Sequence, residues 1–336
     1  MSGSNPLLRS ALAAWIAGAF LASSFLAPAL LDPASAGAAP AITSEGPAGP
    51  PLALRTERIL DRETLEALGV PRPSRLKFDA SGNLYVLDAV SRRVVKLDSR
   101  GGALLDLGGY GEDEASFSIP CDLAVDARQT LLVLDRGKGA VIAFDGSGHF
   151  LGARSMAADV ATEAFAPSAR LVVDPFGALW LVAPRSRDLV PLDDRLARAR
   201  RSRFLAPEES LGAVQSAAFL PGGGVWIHDP EAGALRRFGA SGRLLGTVSL
   251  RDSTGFAVPS ELATDGDGYL YVPDAEGQRI LVYDPDGGLR LTRPLGGPRA
   301  PWRPAALAIS RLDRIAIADP SRGEIQILAI QRGSAP

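Results

Sequence analysis

The residue types that could carry chemistry are sparse in this 336-residue chain. It holds two histidines, His149 and His228, and one cysteine, Cys121. Two histidines cannot furnish a three-histidine metal site, and a lone cysteine cannot form an internal disulfide. No G-x-S-x-G stretch offers an activated serine. The stretch "GSGHFLG" (146–152) has neither the spacing nor the following helix of a dinucleotide-binding fingerprint. Asp265-Gly266-Asp267-Gly268 resembles the start of a calcium loop, but no ligand series continues it, so it reads as a tight turn. Carboxylates and arginines remain, and what they can do depends on where a repeated architecture puts them.

The repeat is plain. Leu84-Tyr85-Val86-Leu87-Asp88 returns as Leu131-Leu132-Val133-Leu134-Asp135, Val225-Trp226-Ile227-His228-Asp229, Leu270-Tyr271-Val272-Pro273-Asp274 and Ile315-Ala316-Ile317-Ala318-Asp319. Leu179-Trp180-Leu181-Val182-Ala183 is a sixth copy without the aspartate, and the spacings are 47, 48, 46, 45 and 45 residues. A run ending in Asp precedes most copies, as in Arg75-Leu76-Lys77-Phe78-Asp79, and two further short runs follow. Runs of four to six residues, rich in β-branched types and separated by Gly, Asn and Asp, are strand signals. No unit carries ten residues of helical periodicity. Four strands per unit, six units around a ring, predict an all-β, six-bladed β-propeller.

These residues resemble the NHL-repeat family of six-bladed propellers. The match lies in the short strand ending in Asp, the aliphatic-aromatic-Val run, its Asp, and an Arg-aliphatic pair five and six residues later. Asp88 with Arg93-Val94 and Asp274 with Arg279-Ile280 follow that pattern. The glycine-rich connection from Leu107 to Asp126 is similar too. The resemblance covers roughly residues 51–330, is weakest in the third and fourth units, and implies the fold but not a function.

The sixth unit has its third strand at Glu324–Ile330 and no room for a fourth, so the run Leu52–Ile59 is expected to complete it and close the ring. Ahead of that strand, Arg9, the apolar stretch Ala11–Ala27 and Ala34-Ser35-Ala36 predict a signal peptide over 1–36, with an uncleaved membrane anchor as the alternative. Residues 37–51, rich in Ala, Gly and Pro, read as a flexible linker, 52–330 as the propeller and 331–336 as a tail. The chain is therefore expected outside the cytoplasm: periplasmic, at the cell surface or secreted.

With 46% hydrophobic residues and a net charge of −2, the chain can build a large core and carries no basic field for nucleic acid. The basic stretch Asp193–Phe204 aligns with the outer strand of the third unit and reads as a charged edge that discourages sheet pairing. The aspartates Asp88, Asp135, Asp229, Asp274 and Asp319 read as caps of their own strand turns, with Arg93 and Arg279 as partners. Tyr85, Trp180, Trp226 and Tyr271 share one register and read as packing between blades.

One constellation stands out. Four residues back from the end of each first strand stand Arg75, Asp122, Arg170, Ala217, Glu261 and Ala306, with Cys121 beside Asp122. The NHL-type family usually has glycine there, at the inner mouth of the axial channel, so the resemblance implies a charged ring of Arg75, Asp122, Arg170 and Glu261. Buried charges are costly unless paired, so the ring is either an ion-pair ladder packing the pore or a wet mouth that takes a polar or anionic ligand. The function expected is that of a non-catalytic scaffold binding a protein or glycan partner. It is expected to be monomeric, with a membrane tether through the N-terminal segment if that segment is not cleaved, and with no cofactor and no metal. The alternative is a propeller hydrolase or lyase resembling the gluconolactonase and strictosidine-synthase groups. Asp122 and Glu261 would then serve as acid, base or divalent-metal groups.

Overall fold

The computed structural model describes residues 52–164, 169–182, 189–199, 204, 214–252, 255–256, 259–296 and 301–333. The expected signal segment, the linker 37–51 and most of the basic stretch beyond Ala199 lie outside them. The described strands form a ring of six antiparallel blades, named here by strands A to D from the axis outward. Blade 1 runs Arg75–Phe78, Leu84–Asp88, Arg93–Leu97 and Ala103–Gly108. Blades 2, 4 and 5 repeat the A-B-C-D order. The A strands neighbour one another around the whole circle, blade 6 against blade 1 included.

Burial explains the sequence pattern. Every residue of the B strands Leu84–Asp88, Val225–Asp229 and Leu270–Asp274 is buried. A strand sandwiched between two neighbouring blades has no solvent face, so its apolar run is continuous. Strand D of blade 1 at Ala103–Gly108 alternates exposed and half-buried residues, as an outer edge should. Six apolar clusters fill the structure. In one of them Tyr85, Leu87 and Val94 of blade 1 meet Leu123, Val133 and Ile142 of blade 2. The same-register aromatics are all at most 1% exposed, so they pack between blades as expected. Trp180 lies 5.2 Å from the Phe219 ring of blade 4.

The N-terminal strand closes the ring. Leu52–Leu60 pairs along its length with Glu324–Arg332, strand C of blade 6, with an irregularity between Thr56 and Arg58. Its Leu60 joins Ile325 and Ile327 of blade 6 and Leu76 and Val86 of blade 1 in one cluster. Leu52 pairs with Arg332, whose guanidinium binds Asp265, Asp267 and Asp313 in the A–B turns of blades 5 and 6. Both ends of the described chain therefore leave the propeller on the face that carries the A–B turns.

Three details differ from the sequence-based expectation. Two short helices exist, Arg62–Ala67 and Ala158–Ala164, both in connections entering A strands. Asp61 caps the first by accepting the Thr64 N–H at 3.0 Å. Blade 3 shows three strands, Arg170–Val173, Leu179–Val182 and Leu189–Pro191; its outer edge is represented by the bridge Leu192–Arg198. Arg93 lies opposite Asp88 and Gly108 in the strand register, yet its guanidinium reaches diagonally to Asp106, two residues before Gly108 on the same side of strand D, rather than to Asp88.

Candidate functional site

The two sets of recurrent aspartates belong to the scaffold. At the ends of the B strands, Asp88 accepts N–H groups from Arg72 at 2.8 Å and from Val90 and Ser91 at 2.9 Å. Asp135 does the same for Ser118, Ile119 and Lys138, and Asp319 for Arg303 and Ser321. Each carboxylate thus fastens the turn that follows it to the connection that enters its own blade. Arg279 is the expected partner of Asp274, at 2.8 Å.

The A–B turn carboxylates are equally committed. Asp265 accepts the Asp267 and Tyr269 N–H groups with one oxygen. Its other oxygen accepts from Tyr271 at 2.9 Å and from Arg332 at 2.6 Å. The Asp265–Gly268 stretch is therefore a braced turn, as the sequence suggested, and no calcium loop. Asp174 repeats the motif, with Trp180 Nε1 at 3.0 Å.

The charged ring exists, with one correction. Strand pairing sets Arg75 opposite Leu87, Asp122 opposite Leu134, Arg170 opposite Val182 and Ala306 opposite Ala318, all at the fourth position of a B strand. In blade 4 that position is His228, and its partner is Ser216, not Ala217. The expected position is off by one because Leu220 stands where blades 1, 2, 3 and 5 have Asp and blade 6 has Ser310. Ser216 fits the role chemically, since its Oγ accepts the Leu262 N–H of blade 5 at 2.9 Å.

That bond reveals what the ring does. Asp122 Oδ2 accepts the Leu171 N–H of blade 3 at 2.7 Å, and Glu261 Oε2 accepts the Leu307 N–H of blade 6 at 3.1 Å. Three side chains thus tie their own blade to the next one. The remaining oxygens of the two carboxylates face cations. Arg75 Nε stands 3.3 Å from Asp122 Oδ1, and Lys77 Nζ 2.6 Å from Glu261 Oε1. Lys77 was missed in the sequence, although it lies two residues after Arg75 on the same strand and so on the same side.

Asp122 is fully buried and Glu261 is 6% exposed. Burial pushes the Asp122 carboxyl above its usual range despite Arg170 and Arg75. Burial also works against ionised Glu261, but Lys77, Arg75 and Arg170 outweigh it and hold its carboxyl low. Arg170 is held below its usual value by burial and by neighbouring Arg75. Its Nη1 donates to the Ala169 carbonyl at 3.1 Å. Burial raises the Cys121 thiol to about 11, so it is unreactive at neutral pH.

A cavity of about 460 Å³ runs up the axis from this layer. Its floor is Asp122, Arg170, Ser216 and Glu261, with Lys77 on one side; Arg75 contacts Asp122 but does not line the cavity. The wall one step up is small and apolar: Ala124, Val172, Ala218, Ala263 and Ala308. The rim is made by the A–B turns, at Ala127, Pro175, Pro221, Gly266 and Arg311. The result is a funnel with a charged floor and an apolar collar, opening on the face from which both chain ends depart.

His228 lies outside the funnel, 2% exposed, and neither ring nitrogen has a hydrogen-bond partner. Burial lowers its pKa to about 4, against the pull of Asp229. In the unfolded chain it takes up a proton near pH 6.5, so the unfolded state binds more protons between the two values. Stability is therefore expected to fall as pH drops from about 6.5 to 4, by an amount on the order of 3 kcal/mol. Leu87 and Leu134 occupy the same position in blades 1 and 2. His228→Leu should flatten that stretch of the pH–stability curve in denaturant titrations; an unchanged slope would assign it to other groups.

No protein-family model matches the chain, and a search of curated proteins returns no match. Solved structures do match. A streptogramin B lyase superposes with a TM-score of 0.60 at 11% identity, over 83% of this chain and 97% of that one. A gluconolactonase from Xanthomonas campestris gives 0.55 at 19% identity, over 85% and 98%. The PQQ-bound aldose sugar dehydrogenase from Streptomyces coelicolor gives 0.55 at 12% identity, over 84% and 100%. At such identities the likeness is one of fold, and the fold that this chain shares with them is the six-bladed β-propeller.

Proposed function

We propose that this chain is an exported propeller of the NHL type that works as a non-catalytic binding module, with the axial funnel as its ligand site. The observation that carries this reading is the commitment of both floor carboxylates. Each holds a backbone N–H of the next blade and faces a cation. A general base must reach a substrate proton, and neither carboxylate is free to do so without cutting a blade-to-blade tie. The donors do not suit a divalent cation either. Arg75 and Lys77 occupy the places a metal would take, and no group of three or more His, Cys, Asp and Glu converges among the described residues. The hydrolase or lyase alternative, to which the fold neighbours lend their names, therefore lacks its reacting groups here.

Export rests on the N-terminal sequence, Arg9 with the apolar stretch 11–27 and the Ala34-Ser35-Ala36 site. An uncleaved anchor over the same stretch is the alternative to a cleaved signal peptide. A flexible linker over 37–51 would span about 20 Å. A protein or glycan is the partner class expected for such a module.

The test is thermal unfolding of the protein with a panel of small anions, ammonium ions and neutral polyols, while NMR follows each solute. One class should raise the midpoint and remain unconsumed. Saturation to about 100 times the dissociation constant adds roughly 2.7 kcal/mol. No shift from any class would remove the funnel as a ligand site, and conversion of a solute would make the protein an enzyme.

A further inference from the structure

We propose that the funnel holds a small amphiphilic monocarboxylate, its head on Arg170 at the floor and its apolar body against the collar of Ala124, Val172, Ala218, Ala263 and Ala308. The inference rests on the funnel being a binding site and names its ligand class. The floor brings together three cations, Arg75, Lys77 and Arg170, and two carboxylates, Asp122 and Glu261. Arg75 sits against Asp122 and Lys77 against Glu261, which leaves Arg170 without a carboxylate in contact. A guanidinium that lines a cavity and is in salt-bridge contact with no carboxylate presents a planar fork to one, with charge-assisted bonds stronger than neutral ones.

The collar sets the rest of the ligand. Two residues beyond the floor positions the side chains are alanine in four blades, valine in one and Lys77, turned onto Glu261, in blade 1. Alanine keeps the bore wide and offers no hydrogen bond, so a polyol would lose its water there without replacement. An apolar chain loses nothing and leaves water behind. The volume of about 460 Å³ falls within the range of small-molecule sites. A single surplus cation matches a single anionic head; a dianion would bring one negative charge beyond what the floor can balance.

Isothermal titration of the full protein with sodium octanoate, sodium acetate, 1-octanol and octylamine tests this, with Arg170→Met, Arg170→Lys and Ala263→Leu beside the wild type. Each variant is first checked for a wild-type unfolding transition. Octanoate should bind, and acetate, octanol and octylamine should each bind at least roughly tenfold more weakly. Arg170→Met should weaken octanoate by roughly 10- to 100-fold. Arg170→Lys should recover part of that loss, and Ala263→Leu should weaken octanoate without touching the floor. Equal affinity of Arg170→Met and wild type, or octylamine binding as well as octanoate, would overturn the ligand class while leaving a funnel site. Failure of every probe, together with no shift from any polar solute, would fell the binding reading itself.

Discussion

Asp122→Ala is expected to lower stability by about 3–5 kcal/mol, the usual cost of removing one partner from a buried ion pair. In a domain of this size that is a fall of roughly 10 °C in the unfolding midpoint. Two groups lose their partner at once. The Leu171 N–H, bonded to Asp122 Oδ2 at 2.7 Å, is left in a buried strand edge between blades 2 and 3. The Arg75 guanidinium, its side chain only 14% exposed, loses the carboxylate 3.3 Å from its Nε. A second substitution separates the two effects. Arg75→Met on the Asp122→Ala background removes the stranded charge and should recover part of the loss, since an apolar pair of similar volume often replaces a buried ion pair at little cost. Denaturant midpoints of the two single variants and the double variant measure it. A loss below about 1 kcal/mol for Asp122→Ala would mean the carboxylate is not a tie between blades.

Removal of residues 52–60 should have a still larger effect, abolishing the folded monomer. The strand is paired along its length with Glu324–Arg332, and its loss turns that nine-residue strand into an open edge. It also takes Leu60 out of the cluster that joins blade 6 to blade 1, and Leu54 out of the one that packs against blade 5. An exposed apolar edge templates pairing with other chains. Size-exclusion chromatography of the truncated protein should therefore show aggregates or strand-exchanged dimers. A synthetic peptide of residues 52–60 added during refolding should restore the monomer by strand addition. A truncated protein that stays monomeric with the parent's unfolding midpoint would contradict ring closure by this strand.

The fold was legible because the B strands are nearly invariant in kind. Apolar residues closed by aspartate recur in five blades, and the structure shows why. These strands are buried throughout apart from Leu132 of blade 2, and Asp88, Asp135 and Asp319 each fasten the connection into their own blade. Ring closure was legible from an arithmetic deficit, a sixth unit one strand short and an unassigned strand at the other end. The site was only half legible. Arg75, Asp122, Arg170 and Glu261 do come together, but the blade 4 member was misplaced because Leu220 removed the aspartate used as the counting mark. The pairing of Lys77 with Glu261 joins residues 184 apart, which no local pattern announces. Nor does periodicity say which end of a channel is closed. That depends on the length of the charged side chains in one layer and the smallness of the alanines in the next, and it places the opening among the A–B turns.

If Asp122 and Glu261 are ties between blades, the funnel floor offers no site to a divalent cation. Thermal unfolding of the wild-type protein in Ca²⁺, Mg²⁺, Mn²⁺, Zn²⁺ and EDTA, beside the Asp122→Asn/Glu261→Gln variant, tests that most directly. The same wild-type midpoint in every condition, with the variant lower by a constant amount, is the predicted result. A metal-dependent rise in the wild type that disappears in the variant would contradict it and make the funnel floor a metal centre.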